Sequence, residues 1–212
     1  MGKLNKGILG HFTGKVGTVV GSTWRGVEYM RSKQGKSKRA ATEKQLDQQA
    51  KFSLVVKFIK ALNSLVRISF NDPSKDMTGS NAALSFNIIN AITGAYPAYM
   101  IDYSRAAVSE GVLHGAPGGS AIAGGSGIIK FTWSPTSGAN ANSDDTCVGV
   151  AYCPELKQAV YTTTGGAMRS TGNDDLSAAL FTGKTVETWL FFTSYDGTKV
   201  SSSTYTGQVV VS

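Results

Sequence analysis

From Pro97 onward the sequence loses helical periodicity and never recovers it. The remainder is a series of short apolar or alternating runs, YMIDYSRAAV, GIIKFTWS, TCVGVAYC, QAVYTTT, LSAALF, TVETWLFFTS, TKVSSSTY and GQVVVS. They are separated by PGG, SPTSGANANSDD, GGAMRSTGNDD, TGK and YDG. Runs rich in β-branched and aromatic residues suit strands, and the Gly, Asn, Asp and Pro clusters between them reverse the chain. The spacing predicts an antiparallel β-sandwich over residues 103–212.

Side chains alternate between the two sides of a strand, so each run can be sorted by face. In TVETWLFFTS, Val186, Thr188, Leu190 and Phe192 point one way, and Glu187, Trp189 and Phe191 the other. Both sides carry large apolar groups, so one belongs to the sandwich core and the other is covered by helices or offered to a partner. Phe131, Trp133, Val148, Val150, Leu190 and Phe192 form the expected core. Trp133 is placed as the buried tryptophan of an immunoglobulin-like architecture, without the cysteine pair that frames such a residue in antibody domains. Cys147 and Cys153 fall on one face of TCVGVAYC. Along a strand they are roughly 20 Å apart, beyond disulfide reach, so both are expected as reduced core thiols.

Before Pro97 the period is helical. Thr42 followed three residues later by Gln45 is a capping-box pattern, and Leu46, Ala50, Phe52, Val55, Phe58, Ile59, Leu62, Leu65 and Val66 come after it at mostly helical spacing. A long helix is predicted over 42–67, with Glu43, Asp47 and Lys51 on its wet face. NDPSKDMTGS reads as a connection, and SNAALSFNIINAI as a second helix over 80–92 capped by Ser80 or Asn81. The expected class is α+β: an N-terminal β-hairpin and two helices, then the sandwich. The expected segments are a glycine-rich basic arm over 1–40, a helical segment over 41–97 and the sandwich over 103–212.

The first 40 residues hold nine Lys or Arg against one acid, Glu28, although the whole chain is only +7. Such a segment attracts anionic surfaces over distances set by salt. VGTVVGSTW and VEYMRS read as two strands around a turn at Arg25-Gly26. The stretch KGILGHFTGKVGTVVGSTWRG tempts a phosphate-loop reading, but Gly10 to Gly14 encloses three residues where four are needed. Val16 also stands where the magnesium-binding hydroxyl belongs. Its glycines instead suit close backbone approach or positive φ. Gly14, Lys15, Gly17, Gly21, Trp24, Arg25, Arg31, Lys33, Lys36, Lys38 and Arg39 are the expected partner-binding residues.

Catalytic constellations fail on inventory. His11 and His114 are far apart in sequence, and neither has a nucleophile or acid motif beside it. Each reads as a surface or capping imidazole, a catalytic base being the alternative. The doublets Asp144-Asp145 and Asp174-Asp175 read as turn chemistry rather than a calcium site. No enzyme activity, cofactor or metal is expected. No apolar run approaches the roughly 18 to 20 residues of a membrane span, and the opening lacks the apolar stretch of about 7 to 15 residues of a secretory signal. The chain is expected to be soluble, in the cytoplasm or a virion.

The cluster RSKQGKSKR over 31–39 reads either as a solvated connection or as a contact for nucleic-acid phosphates or an acidic protein. It lacks aromatic interleaving, which counts against stacking of single strands, and Trp24 and Tyr29 nearby read equally well as packing residues. GKVGTVVGSTWRG, the helix opening TEKQLDQQAKF and the closing YDGTKVSSSTYTGQVVV resemble a Bacteroidota family of small proteins with no established activity. The resemblance spans nearly the whole chain and transfers no site residue. Two function classes remain. The first is a structural protein of a bacteriophage particle or similar assembly, whose basic arm docks on neighbouring subunits. The second is a nucleic-acid-associated protein using residues 31–39. A carbohydrate-binding or adhesive module is a third, weakened by the expected lack of an export signal.

Overall fold

The structure is a computed structural model that describes residues 2–4, 10–24, 26–35, 40–70, 77–162 and 165–212. The chain divides into two compact units, Met1–Thr42 and Glu43–Ser212.

The first unit is an antiparallel sheet in chain order: β1 (Lys3–Leu4), β2 (Phe12–Val16), β3 (Val19–Trp24) and β4 (Val27–Ser32). The expected hairpin is therefore its β3–β4 half, joined at Gly26, and Gly17 turns β2 into β3.

The second unit opens with three helices, α1 (Glu43–Ala61), α2 (Asn63–Ser69) and α3 (Gly79–Asn90). The helix expected over 42–67 breaks at Leu62, a fully buried residue between α1 and α2. On the wet side of α1, Asp47 pairs with Lys51 at 2.9 Å and accepts the Tyr99 hydroxyl. The Tyr99 hydroxyl, and then Lys51, hold the Asp47 carboxyl below its usual range. For α3 the expected cap was off by two or three residues. Thr78 in extended backbone is the cap, and its hydroxyl accepts the Asn81 N–H at 3.3 Å.

Two short strands come next, β5 (Ile92–Thr93) paired with β6 (Met100–Ile101), and then seven more: β7 (Ser120–Gly125), β8 (Ile128–Thr132), β9 (Thr146–Cys153), β10 (Gln158–Tyr161), β11 (Asn173–Ser177), β12 (Thr185–Thr193) and β13 (Thr204–Val210). They form antiparallel sheets ordered β10-β9-β12-β13 and β11-β8-β7. The YMIDYSRAAV run contributes only β6. Beyond it the Asp102 carbonyl accepts the Arg105 and Ala106 N–H groups in a turn, and side chains then take up the backbone at 106–107. Asn87 of α3 brackets Ala107, donating to its carbonyl at 2.9 Å and accepting its N–H at 3.0 Å. The Trp189 indole donates to the Ala106 carbonyl at 3.0 Å. LSAALF ends its strand at Ser177, and a single helical turn, Ala179–Phe181, tucks Phe181 fully inside. The weakly alternating SAIAGG, which lies outside the predicted strand runs, is β7.

Central strands β9 and β12 are buried on both sides. On one side Val148, Val150, Tyr152, Trp189 and Phe191 meet Val55, Phe58, Leu62 and Val66 of the helical stretch. Phe58 stands edge-on to Tyr152 at 5.1 Å and lies 6.0 Å from Trp189. On the other side Cys147, Ala151, Cys153, Leu190 and Phe192 pack with Ile129 and Phe131 of the three-stranded sheet and with Trp133 just past β8. The order within this unit is helices, four-stranded sheet, three-stranded sheet.

Two sequence expectations change as a result. Val148 and Val150 belong to the helical side and not with Trp133, because Cys147, Gly149 and Ala151 alternate with them. The stretches 41–97 and 103–212 share a core and fall in one compact unit. Both cysteines are free and buried on the same side, and burial pushes the Cys147 thiol well up. No helix among the described residues is long and apolar enough to cross a membrane.

Candidate docking face

Among the described residues, no group of three His, Cys, Asp or Glu could hold a metal ion. Both histidines singled out from the sequence lie against polar partners. His11 Nδ1 lies 2.5 Å from Glu28 Oε1, and its Nε2 is 3.4 Å from the Thr23 hydroxyl. His114 is exposed, with Nδ1 3.4 Å from the Gly115 carbonyl. Asp174 and Asp175 stand in strand β11 rather than in a turn.

Asp145 closes a turn as expected, its carboxylate accepting the Asn142 N–H at 3.0 Å, but it does more than that. It is fully buried and pairs with the equally buried Arg169 at 3.1 Å. The same guanidinium donates to the carbonyls of Gly115 at 3.1 Å and His114 at 2.7 Å, and lies 3.7 Å from the centre of the Phe192 ring. The Arg169 carbonyl in turn accepts the Trp133 indole N–H at 2.8 Å. Burial draws the Arg169 guanidinium below its usual range, and Asp145 opposes that shift. Four chain segments are thereby tied together around one guanidinium. The sequence carried no signal for this pair, because its members are 24 residues apart in different loops.

An apolar cavity of about 270 Å³ lies at the end of the four-stranded sheet, lined by Leu65, Ile68, Cys147, Val148, Tyr161 and Phe191 among others. Its described lining contains no carboxylate, histidine or cation.

The N-terminal unit is built differently. Gly21 is its only buried residue among those described, and all six positions of β4 are exposed. The β2–β3 ladder runs from Val16↔Val19 to Gly14↔Gly21. Gly14 has φ 95°, a left-handed conformation that costs other residues roughly 1–2 kcal/mol. Beyond it the chain passes over one side of β3. A Cβ at Gly21 would collide with the Phe12 carbonyl oxygen, and His11 reaches Glu28 and Thr23 on that same side. Gly21 therefore receives the chain's own backbone rather than a neighbour's, and Gly17 and Gly26 serve turns with φ 59° and 82°.

The opposite side carries Lys15, Trp24 and Arg31 of the expected partner-binding set, together with Tyr29. Residues that face each other across antiparallel strands share a side, and alternate residues return to it. Lys15↔Val20, Val20↔Arg31, Ser22↔Tyr29 and Trp24↔Val27 thus assemble one surface from three strands. Trp24 is 50% exposed and Tyr29 43%; Lys15 and Arg31 are exposed as well. Lys33 is exposed just past β4, where its backbone N–H donates to the Thr18 carbonyl at 2.7 Å. Arg25, Lys36, Lys38 and Arg39 lie outside the described residues. Sequence spacing alone hid this surface, since Lys15, Trp24, Tyr29 and Arg31 form no local cluster until the strands pair.

Together these features define a protein with a basic N-terminal sheet unit and a helix-backed β unit. The chain belongs to DUF6266, a family of unknown function whose pattern matches residues 11–207. No curated protein matches the chain.

Proposed function

We propose that this is a non-enzymatic structural protein, a component of a bacteriophage virion or a similar assembly. In this reading the N-terminal unit docks on neighbouring subunits, and the two packed sheets of the second unit act as an immunoglobulin-like sandwich presented outward. One observation carries the proposal: the N-terminal sheet leaves Val16, Val19, Trp24, Val27 and Met30 exposed, at 37 to 71%, and buries no side chain of its own among the described residues. A small sheet without a core is marginal in water, and exposed apolar groups on both of its sides, Val16, Val19 and Met30 on one and Trp24 and Val27 on the other, mark surfaces that partners cover. The second unit, by contrast, encloses two apolar cores of its own.

The test is incorporation. Particles purified from producing cells should contain the full chain in stoichiometric amount by mass spectrometry. A chain starting at Glu43 should keep its circular dichroism and be lost from the particles. Incorporation of the shortened chain, or absence of the full chain from every particle fraction, overturns the proposal. Nucleic-acid association through residues 31–39 is the second reading, favoured by the position of Arg31 beside the exposed Tyr29 on the side that also carries Trp24.

A further inference from the structure

We infer that the Lys15–Trp24–Tyr29–Arg31 surface of the N-terminal sheet binds single-stranded nucleic acid. In this arrangement two bases stack on Trp24 and Tyr29, and backbone phosphates meet Lys15 and Arg31. Trp24 and Tyr29 are diagonal neighbours on adjacent strands, one pairing Val27 and the other Ser22. Such positions are about 7–8 Å apart, a step that one unstacked nucleotide spans. Lys15 and Arg31 flank Val20 in a single row across the three strands, which places a cation on either side of a path leading away from the rings. The one carboxylate of the first 40 residues, Glu28, stands opposite Thr23 on the other side of the sheet, where His11 holds it. The surface is therefore cationic and aromatic, with no acid on it.

The chemistry selects among anionic partners. A duplex hides its base faces and would leave both rings idle. An acidic peptide uses the cations, but its carboxylates gain nothing from the negative faces of the rings. Only an unpaired strand uses both kinds of group, as stacking platforms with electrostatic grooves do. The excess of nine Lys or Arg over one acid in the segment steers such a polymer toward it.

This surface belongs to the same unit as the proposed docking function but takes a different partner, so the two are measured apart. The full chain is titrated into a fluorescein-labelled oligothymidylate of about 20 nucleotides, followed by anisotropy, with a duplex of equal length and polyglutamate as competitors. The unpaired strand should bind tightest, and should quench the exposed Trp24 while Trp133 and Trp189, buried in the second unit, stay unquenched. Trp24→Ala and Tyr29→Ala should each weaken binding roughly ten-fold and leave the salt slope unchanged, whereas Trp24→Phe and Tyr29→Phe retain most of the affinity. Lys15→Ala or Arg31→Ala should reduce the log–log salt slope by about 0.7 each. Equal competition by polyglutamate, preference for the duplex, or ring variants that bind like the parent chain overturns the inference. Normal particle incorporation of Tyr29→Ala alongside weakened oligonucleotide binding separates this surface from the subunit contact. Incorporation of the Glu43 truncation together with oligonucleotide binding by the full chain overturns the docking reading and supports this inference.

Discussion

Gly21 and Gly17 show why glycines close in sequence do different work. A Cβ at Gly21 would strike the Phe12 carbonyl, a backbone atom that cannot swing away, whereas nothing lies within 4 Å of one at Gly17. Gly21→Ala is expected to disrupt the N-terminal sheet, read as faster protease cleavage within residues 10–32 and a shift in Trp24 emission. Gly17→Ala pays only for its φ of 59°, roughly 1–2 kcal/mol, and should leave the sheet formed. A second test at this scale is a titration. Asp196 accepts the Ser194 hydroxyl, the Thr198 hydroxyl and the Thr198 N–H, and these bonds hold its carboxyl at about 2. A carboxyl depressed on folding adds stability at pH above its unfolded value of about 4, and loses it as pH falls through the folded value. The Asp196 side-chain carbon should therefore titrate near pH 2 by NMR. In Asp196→Asn any fall in stability should appear above about pH 4 and vanish at about pH 2.

At the scale of elements, β12 is the seam of the molecule, with Trp189 and Phe191 facing the helices and Leu190 and Phe192 facing the second sheet. Trp133 and Trp189 are therefore both core residues of the Glu43–Ser212 unit, 5% and 0% exposed. Each Trp→Ala variant of the full chain should lose about 3–5 kcal/mol in denaturant unfolding. Either tryptophan variant unfolding like the parent would show that its side of β12 is not packed as described. A fragment of residues 103–212 would leave Val150, Tyr152, Trp189 and Phe191 without the helices that cover them. It is expected to give no cooperative transition, although its strands alone read as a self-contained sandwich.

For the whole molecule, every residue of both cores lies at or beyond Val55, inside the Glu43–Ser212 unit. Trypsin cleavage after Arg39 should leave a fragment that unfolds in one transition and carries both buried tryptophans. Loss of that transition would mean that the first 42 residues complete a core.

Period and turn chemistry in the sequence were enough for much of this. The antiparallel strands β8 to β10 and β12, both faces of TVETWLFFTS, the helical stretch and the same-side free cysteines are all legible in local patterns. Local patterns report which side of an element is apolar, and say nothing of what arrives to cover it. The assignment of Val148 and Val150 to the helices, the bracing of Ala106 and Ala107 by Trp189 and Asn87, and the buried Asp145–Arg169 pair needed groups distant in sequence to meet. The same holds for the candidate surface. Its cations and rings are scattered over residues 15–31, and only the register of three strands puts Lys15, Trp24, Tyr29 and Arg31 on one side with Glu28 on the other. A one-residue slip in that register would have exchanged the two sides, which is why tertiary pairing decided it.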